Sequence, residues 1–193
     1  GTIGNLTPGG KILASLFQSV TLRTAGFASF NQDALTEASK VLSDLLMFVG
    51  GSSGSTAGGV KTVTMGLVIL SAVSTMRGRR QVTVFGRSIS QEDISNAVSI
   101  ALLVMGLSLL GAAVITVCDG CSFMNAIYET ISALCTVGLT TGITPTLCTA
   151  SKLILIVFMF FGRVGIMTIG VGFMMGDRAK ERVQYAQTKV MIG

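Results

Sequence analysis

The run Ile94-Ser-Asn-Ala-Val-Ser-Ile-Ala-Leu-Leu-Val-Met-Gly-Leu-Ser-Leu-Leu-Gly-Ala-Ala-Val-Ile-Thr-Val-Cys118 holds 25 residues and no charge. A helix crossing a hydrocarbon core of about 30 Å needs about 20 apolar residues. This stretch alone therefore meets the requirement for a spanning helix. The rest of the chain agrees with it. Half of the 193 residues are hydrophobic and only 12% are charged, against about 25% in a soluble domain. Mean hydropathy is +0.72. The expected class is an all-α integral membrane protein, neither a soluble globule nor a disordered chain.

Two further runs flank this one. Residues 153–176 carry Arg163 as their only charge. Residues 45–76 form a third run, broken at its centre by Gly50-Gly-Ser-Ser-Gly-Ser-Thr-Ala-Gly-Gly59. Five glycines and three serines in ten residues make a poor helix interior. Two shorter apolar pieces, 12–20 and 123–134, are about half a bilayer long. Each runs into a Thr-x-Gly: Thr24-Ala-Gly26-Phe27 and Thr136-Val-Gly138-Leu139. A half-length helix followed by a polar turn predicts a re-entrant loop, which survives at membrane depth only inside protein or beside water.

The chain repeats itself at an offset of 112 residues: Leu22 falls on Leu134, Thr24 on Thr136, Gly26 on Gly138, Lys40 on Lys152, Met47 on Met159, Phe48 on Phe160 and Gly50 on Gly162. The expected organisation follows. Residues 1–76 form one unit, with a re-entrant loop at 11–30 and a broken transmembrane helix at 41–76. Residues 77–93 are a cytoplasmic linker. Residues 94–176 form the second unit, with spans at 94–117 and 152–176 around a re-entrant loop at 123–142. Residues 177–193 are a cytoplasmic tail. Eight of the fourteen cations (Arg77, Arg79, Arg80, Arg87, Arg178, Lys180, Arg182 and Lys189) lie in the linker and the tail, which the positive-inside rule assigns to the cytoplasm. Both loops then enter from outside, with Asp33, Glu37, Asp119 and Glu129 on or near the outer face, gathering cations.

Cation selectivity can be built from backbone carbonyls that replace a hydration shell. Such a turn needs glycine, and a preceding half-helix aims its negative end at the ion. Two turns at one repeat offset, each after a half-helix, fit this better than two ordinary tight turns. The rest of the composition removes other chemistries. With no histidine there is no Ser-His-Asp triad, Cys-His dyad or imidazole metal site. Serines 52, 53 and 55 have no base nearby. Cys118-Asp-Gly-Cys121 lacks a second ligand pair, leaving two small residues at a helix end, or a disulfide if that end faces an oxidising side. The cations have no interleaved aromatics, which argues against nucleic acid. The ten methionines read as adaptable helix packing.

Leu22-Arg-Thr-Ala-Gly-Phe27, the loop Phe48-Val-Gly-Gly-Ser-Ser-Gly-Ser-Thr-Ala-Gly-Gly-Val-Lys-Thr62, Thr136-Val-Gly-Leu-Thr-Thr-Gly142 and Phe161-Gly-Arg-Val-Gly165 resemble the Trk/Ktr/HKT superfamily of potassium transporters, and most of all the membrane subunit of the Ktr branch. The likeness runs over nearly the whole chain but covers only the C-terminal half of that architecture, the third and fourth pore-loop repeats. The terminal Lys189-Val-Met-Ile-Gly193 resembles a Ktr subunit's end, so the missing part is expected at the N-terminus.

The resemblance implies a pseudo-fourfold, channel-like pore of helix–pore-loop–helix repeats, each giving one filter strand. Carried over, Thr24, Ala25, Gly26 and Phe27, with Thr136, Val137, Gly138 and Leu139, belong to a K⁺ filter built of backbone carbonyls. The other two strands are absent, so this chain alone should not conduct. The broken centre becomes an intramembrane gating loop of Gly50, Gly51, Ser52, Ser53, Gly54, Ser55, Thr56, Ala57, Gly58 and Gly59, closed by Lys61. The alternative for this loop is a close-packed small-residue interface. Arg163, costly at membrane depth, is expected to latch the loop through its carbonyls or, alternatively, to staple two helices. Lys61 faces the inner vestibule or snorkels to the inner surface. Arg23 reads as structural, pairing with an acid behind the turn.

No cofactor is expected in the chain and no enzymatic activity. K⁺ is the transported ion, and the Ktr branch suggests Na⁺ as an activator. The implied partners are the lipid bilayer, a second copy in a homodimer and a cytosolic ring of nucleotide-binding regulatory subunits. The implied location is the cell membrane, multi-pass, with a cytoplasmic C-terminus. The rival readings are a Na⁺-permeable member of the same superfamily, a secondary transporter with discontinuous helices and a non-transporting membrane scaffold. A secondary transporter would want an embedded carboxylate, and the long runs hold none apart from Asp44 near one end.

Overall fold

The computed structural model describes residues 3–4, 6–52, 57–78, 81–84 and 87–164. Ser53, Gly54, Ser55 and Thr56 of the glycine-serine loop lie outside the described residues, as do Arg79 and Arg80, the second half of the 152–176 span and the tail 177–193.

The described residues form six α-helices. They are α1 (Pro8–Thr21), α2 (Glu37–Phe48), α3 (Thr62–Met76), α4 (Gln91–Asp119), α5 (Phe123–Leu134) and α6 (Thr149–Val164). Their starts are written in the sequence. Thr7 caps α1 by accepting from the Gly10 N–H, with Pro8 in the first turn. Thr36 caps α2 through the Ser39 N–H, and Ser90 caps α4 through the Asp93 N–H. Each side chain satisfies an amide that has no partner within its helix. Helix α4 ends at Gly120, whose φ of +63° is left-handed, a conformation open to glycine. A two-residue hairpin, Thr83–Val84 with Arg87–Ser88, lies in the linker between α3 and α4.

Among the described residues α4 is the one helix long and apolar enough to cross a membrane by itself, with 29 residues and a mean hydropathy of 2.5. At 1.5 Å per residue it is about 44 Å long. Its face away from the core displays Leu102, Leu103, Leu109, Leu110 and Val117. An exposed apolar stripe of that extent suits lipid and not water.

The core lies around α5. Residues 128–135 are all buried, because α2, α4 and α6 pack around this helix. Gly111 of α4 has no room for a Cβ against Phe158 of α6, which lets those two helices touch closely. Helix α1 occupies the place in the first repeat that α5 occupies in the second, yet only Thr21 of it is buried. Its Ile12, Leu13, Leu16 and Val20 are exposed.

The 112-residue offset recurs in the local structure. A short 3₁₀ turn at Gln32–Ala34 has its counterpart at Thr144–Thr146, and α2 and α6 begin one offset apart. Lys40 in the first turn of α2 reaches back to Asp33 Oδ1 at 3.4 Å. Lys152 of α6 reaches back to the carbonyl of Pro145, one offset from Asp33, at 2.9 Å.

Candidate functional site

Both Thr-x-Gly segments leave their helices through the same backbone path. Thr24 and Thr136 have φ of +65° and +55°, and Gly26 and Gly138 have +76° and +89°. Ala25 and Val137, between them, are not among the positive-φ residues. The sign of φ thus alternates along each turn. A β-branched residue at positive φ is rare and strained, so the surroundings must hold it there. Amides next to each threonine are tied back to the end of the preceding helix. The amides of Ala25 and Gly26 both donate to the Thr21 carbonyl at 3.1 Å, and Val137 N–H donates to the Ser132 carbonyl at 2.9 Å.

Hydroxyls pin the far side of each turn. Thr21 Oγ1 donates to the Phe27 carbonyl at 2.7 Å and accepts from the Phe27 N–H at 2.8 Å. In the second repeat Ser132 Oγ donates to the Leu139 carbonyl at 2.5 Å. The donors are not equivalent by offset, but they serve equivalent carbonyls. The Phe27 and Leu139 carbonyls therefore already accept a hydroxyl each, while Phe27 itself is exposed and Leu139 buried.

The two turns meet. A Cβ on Gly26 would run into the Val137 carbonyl oxygen and approach the Gly138 Cα to 3.7 Å. Gly138, in contrast, has nothing within 4 Å of the equivalent position. The open side of the second turn thus looks away from the first.

The glycine-serine loop lies against the second turn. Its ends are clamped together by Gly50 N–H to the Val60 carbonyl at 2.9 Å and Thr62 N–H to the Gly51 carbonyl at 3.2 Å. From that base Gly58 N–H donates to Thr136 Oγ1 at 3.0 Å. Gly59, at φ +73°, sits over Cys135 with no space for a side chain. Of the other described loop residues, Ser52 is exposed, while Gly51, Ala57 and Lys61 are half-buried.

Arg163 is on the last described turn of α6 and lines a cavity of about 590 Å³ together with Thr136, Gly138, Ser132 and Glu129. Next to it, Gly162 leaves no room for a Cβ against the Leu134 carbonyl, so α6 abuts the base of the turn.

Glu129, Asp119 and Arg23 take their settings from the fold. Glu129 is not a surface charge: it is 5% exposed. Its carboxylate accepts from Thr140 Oγ1 at 2.5 Å, Thr141 N–H at 2.9 Å, Thr141 Oγ1 at 3.2 Å and Thr144 Oγ1 at 3.0 Å. It organises the segment after the second turn. Asp119 closes α4 onto α6 by accepting from Cys148 N–H at 2.6 Å and Ser151 Oγ at 2.5 Å. Those two hydrogen bonds, the Ser151 hydroxyl first, hold its carboxyl below the usual aspartate range. Arg23 is exposed and forms no ion pair among the described residues, where the one salt bridge is Lys40–Asp33. Cys118 and Cys121 are both free thiols, and burial raises the Cys121 thiol above its ordinary value.

A helical chain with one long apolar helix and two glycine turns set against each other fits a membrane protein. A family model described as "Cation transport protein", TrkH, matches residues 1–181, and the chain belongs to this family. The family is one of transporters, not enzymes. The chain is 38% identical over 193 residues to Ktr system potassium uptake protein B of Bacillus subtilis, covering 100% of this chain and 43% of that protein. It is 35% identical over 188 residues to potassium/sodium uptake protein NtpJ of Enterococcus hirae, covering 95% and 42%. It is 34% identical over 194 residues to Ktr system potassium uptake protein B of Vibrio alginolyticus, covering 100% and 42%. The chain thus spans about two-fifths of the length of these relatives.

Proposed function

We propose that the chain is the C-terminal half of the membrane subunit of a potassium uptake system. In this reading it contributes two of four filter strands to a passive, channel-like pore. The observation that carries this is the convergence of the two turns, with alternating backbone handedness and a glycine at each centre. Carbonyls of Thr24, Ala25 and Gly26, and of Thr136, Val137 and Gly138, would replace the water shed by K⁺. The Phe27 and Leu139 carbonyls, already bonded to hydroxyls, terminate each strand.

The glycine-serine loop is the gate in this reading. Its support is the Gly58 N–H to Thr136 hydroxyl bond, which sets the loop directly against the first residue of a filter strand. Arg163 borders the same threonine across the neighbouring cavity, a position from which a cation opposes another cation and holds loop carbonyls. The bilayer is the solvent, and the membrane subunit pairs with a second copy. The likeness to two proteins named as parts of a Ktr system supports a partner subunit, and in this reading that partner is a cytosolic ring of nucleotide-binding subunits docked on the basic linker and tail. The C-terminus is then cytoplasmic and Na⁺ acts as an activator. A second reading, a pore that passes Na⁺ as well, is favoured by the potassium/sodium uptake relative.

Rubidium and sodium uptake into vesicles by the full-length protein tests both. Rubidium flux well above sodium flux, abolished by Gly138→Ser, is expected. Equal fluxes favour the second reading, and no flux for either ion removes both.

A further inference from the structure

Gln32 follows the first turn, and neither filter nor gate uses it. It is 1% exposed. Its Oε1 accepts from Gln18 Nε2 at 2.7 Å and from the Tyr128 hydroxyl at 3.2 Å. Its Nε2 donates to the Phe30 carbonyl at 3.0 Å and to Gln18 Oε1 at 3.4 Å. A side-chain amide has two acceptor and two donor positions, so this one is fully paired. A buried polar network in that condition is rigid and specifies a single arrangement.

The amide joins three pieces of backbone: α1 through Gln18, the strand returning from the first turn through Phe30, and α5 through Tyr128, which is wholly buried. That returning strand is exposed at Phe27, Ala28 and Ser29, so packing does not hold it. Thr21 fixes it at Phe27 and Gln32 fixes it at Phe30. The second repeat solves the same problem differently. Thr144, one offset after Gln32, donates to Glu129 of its own repeat at 3.0 Å. One offset before Glu129 stands Phe17, which cannot accept that bond. The first turn thus takes its brace from the other repeat. Helix α5 carries Tyr128 and then runs into the second turn, so the Tyr128 hydroxyl ties together the two turns that meet at Gly26 and Val137.

We propose that Gln32, braced by Tyr128, is a positioning residue that fixes the spacing of the two turns and thereby sets discrimination between alkali cations. The inference rests on the pore reading, in which turn carbonyls replace the water shed by the ion. A smaller ion such as Na⁺ needs those carbonyls drawn closer than K⁺ or Rb⁺ does. A turn whose exit is anchored through a rigid buried amide resists that movement. Removing one hydrogen bond of net worth from such a brace corresponds to a factor of about 2–10, and that is the loss of discrimination expected.

The test measures rubidium and sodium uptake by the full-length transporter in vesicles, with the melting temperature of each variant alongside. Tyr128→Phe keeps the ring and removes only the hydroxyl. It should retain rubidium flux while the rubidium-to-sodium ratio falls about 2–10-fold. Gln32→Met, similar in shape and without the amide, should lower the ratio at least as far, and it serves if the phenylalanine variant does not fold. The double variant should be no worse than Gln32→Met, because both changes cut one connection. Thr130→Val is the structural control. It removes a buried hydroxyl that bonds the Ser108 carbonyl at 3.1 Å and the Ile127 carbonyl at 3.0 Å, away from both turns, so it should lower the melting temperature and leave the ratio unchanged. An unchanged ratio in Tyr128→Phe and Gln32→Met, or an equal fall in Thr130→Val, overturns the proposal while rubidium flux abolished by Gly138→Ser keeps the pore reading. A wild type that passes both ions equally also overturns the proposal alone. A wild type that passes neither overturns both.

Discussion

Gly138→Ala in the full-length protein tests whether four turns close a ring. Gly26 has φ +76°, and its Cβ position is filled by the Val137 carbonyl of the other turn. Gly138 has φ +89° and nothing within 4 Å of its Cβ position. In this chain, then, alanine at Gly138 meets only the left-handed backbone penalty of about 1–2 kcal/mol. A symmetric ring changes that. Each glycine would face the carbonyl of the following turn, and the turn following Gly138 would come from the first repeat. Alanine at Gly138 would then also suffer overpacking of about 1–3 kcal/mol, for a sum of about 2–5 kcal/mol, matching Gly26→Ala. The assay is thermal denaturation of both variants of the complete transporter in detergent, with rubidium uptake alongside. Similar, large losses for the two variants are expected. A Gly138→Ala variant clearly milder than Gly26→Ala would refute the closed ring, because nothing would then occupy the open side of the fourth turn.

Thr136→Val removes the acceptor for Gly58 N–H while keeping the β-branched shape; an unsatisfied buried amide costs about 1–3 kcal/mol, so the loop should release and regulated flux should turn constitutive, with Thr136→Ser retaining control. Arg163→Ala should raise rubidium flux and loosen its regulation, and unchanged transport would remove the latch. Glu129→Gln replaces an acceptor of four hydrogen bonds by a group that presents donors of its own; a melting-temperature loss corresponding to at least about 1.5–3 kcal/mol is expected. Asp119 has a folded-state pKa below its ordinary value of 3.8, so its stabilisation is present above that value and is lost as pH falls through the lower, folded one. The melting-temperature gap between wild type and Asp119→Ala should therefore be full at neutral pH and close only below pH 3.8; a gap that narrows already between pH 7 and 5 would contradict this.

The sequence by itself determined the periodic and local features of this protein. An uncharged run of 25 residues has to be a helix in lipid, because no other single segment satisfies its own backbone there. Threonine and serine placed before apolar runs became caps, and clustered glycine and serine at 50–59 stop α2 at Phe48, since backbone entropy opposes a helix there. The shared offset reached as far as the paired 3₁₀ turns, because equal spacings build equal local structure. What only the tertiary structure decided is which residues meet across long separations. Gly58 and Thr136 are 78 residues apart, and Gly26 and Val137 touch across the two repeats. Thr21 and Ser132 support equivalent carbonyls from inequivalent positions, which no offset reveals. Glu129 reads as a surface charge until the threonines after the second turn fold over it. Periodicity tells a residue which face of its own helix it occupies, but the partner on that face is set by how helices pack, and packing depends on every element together.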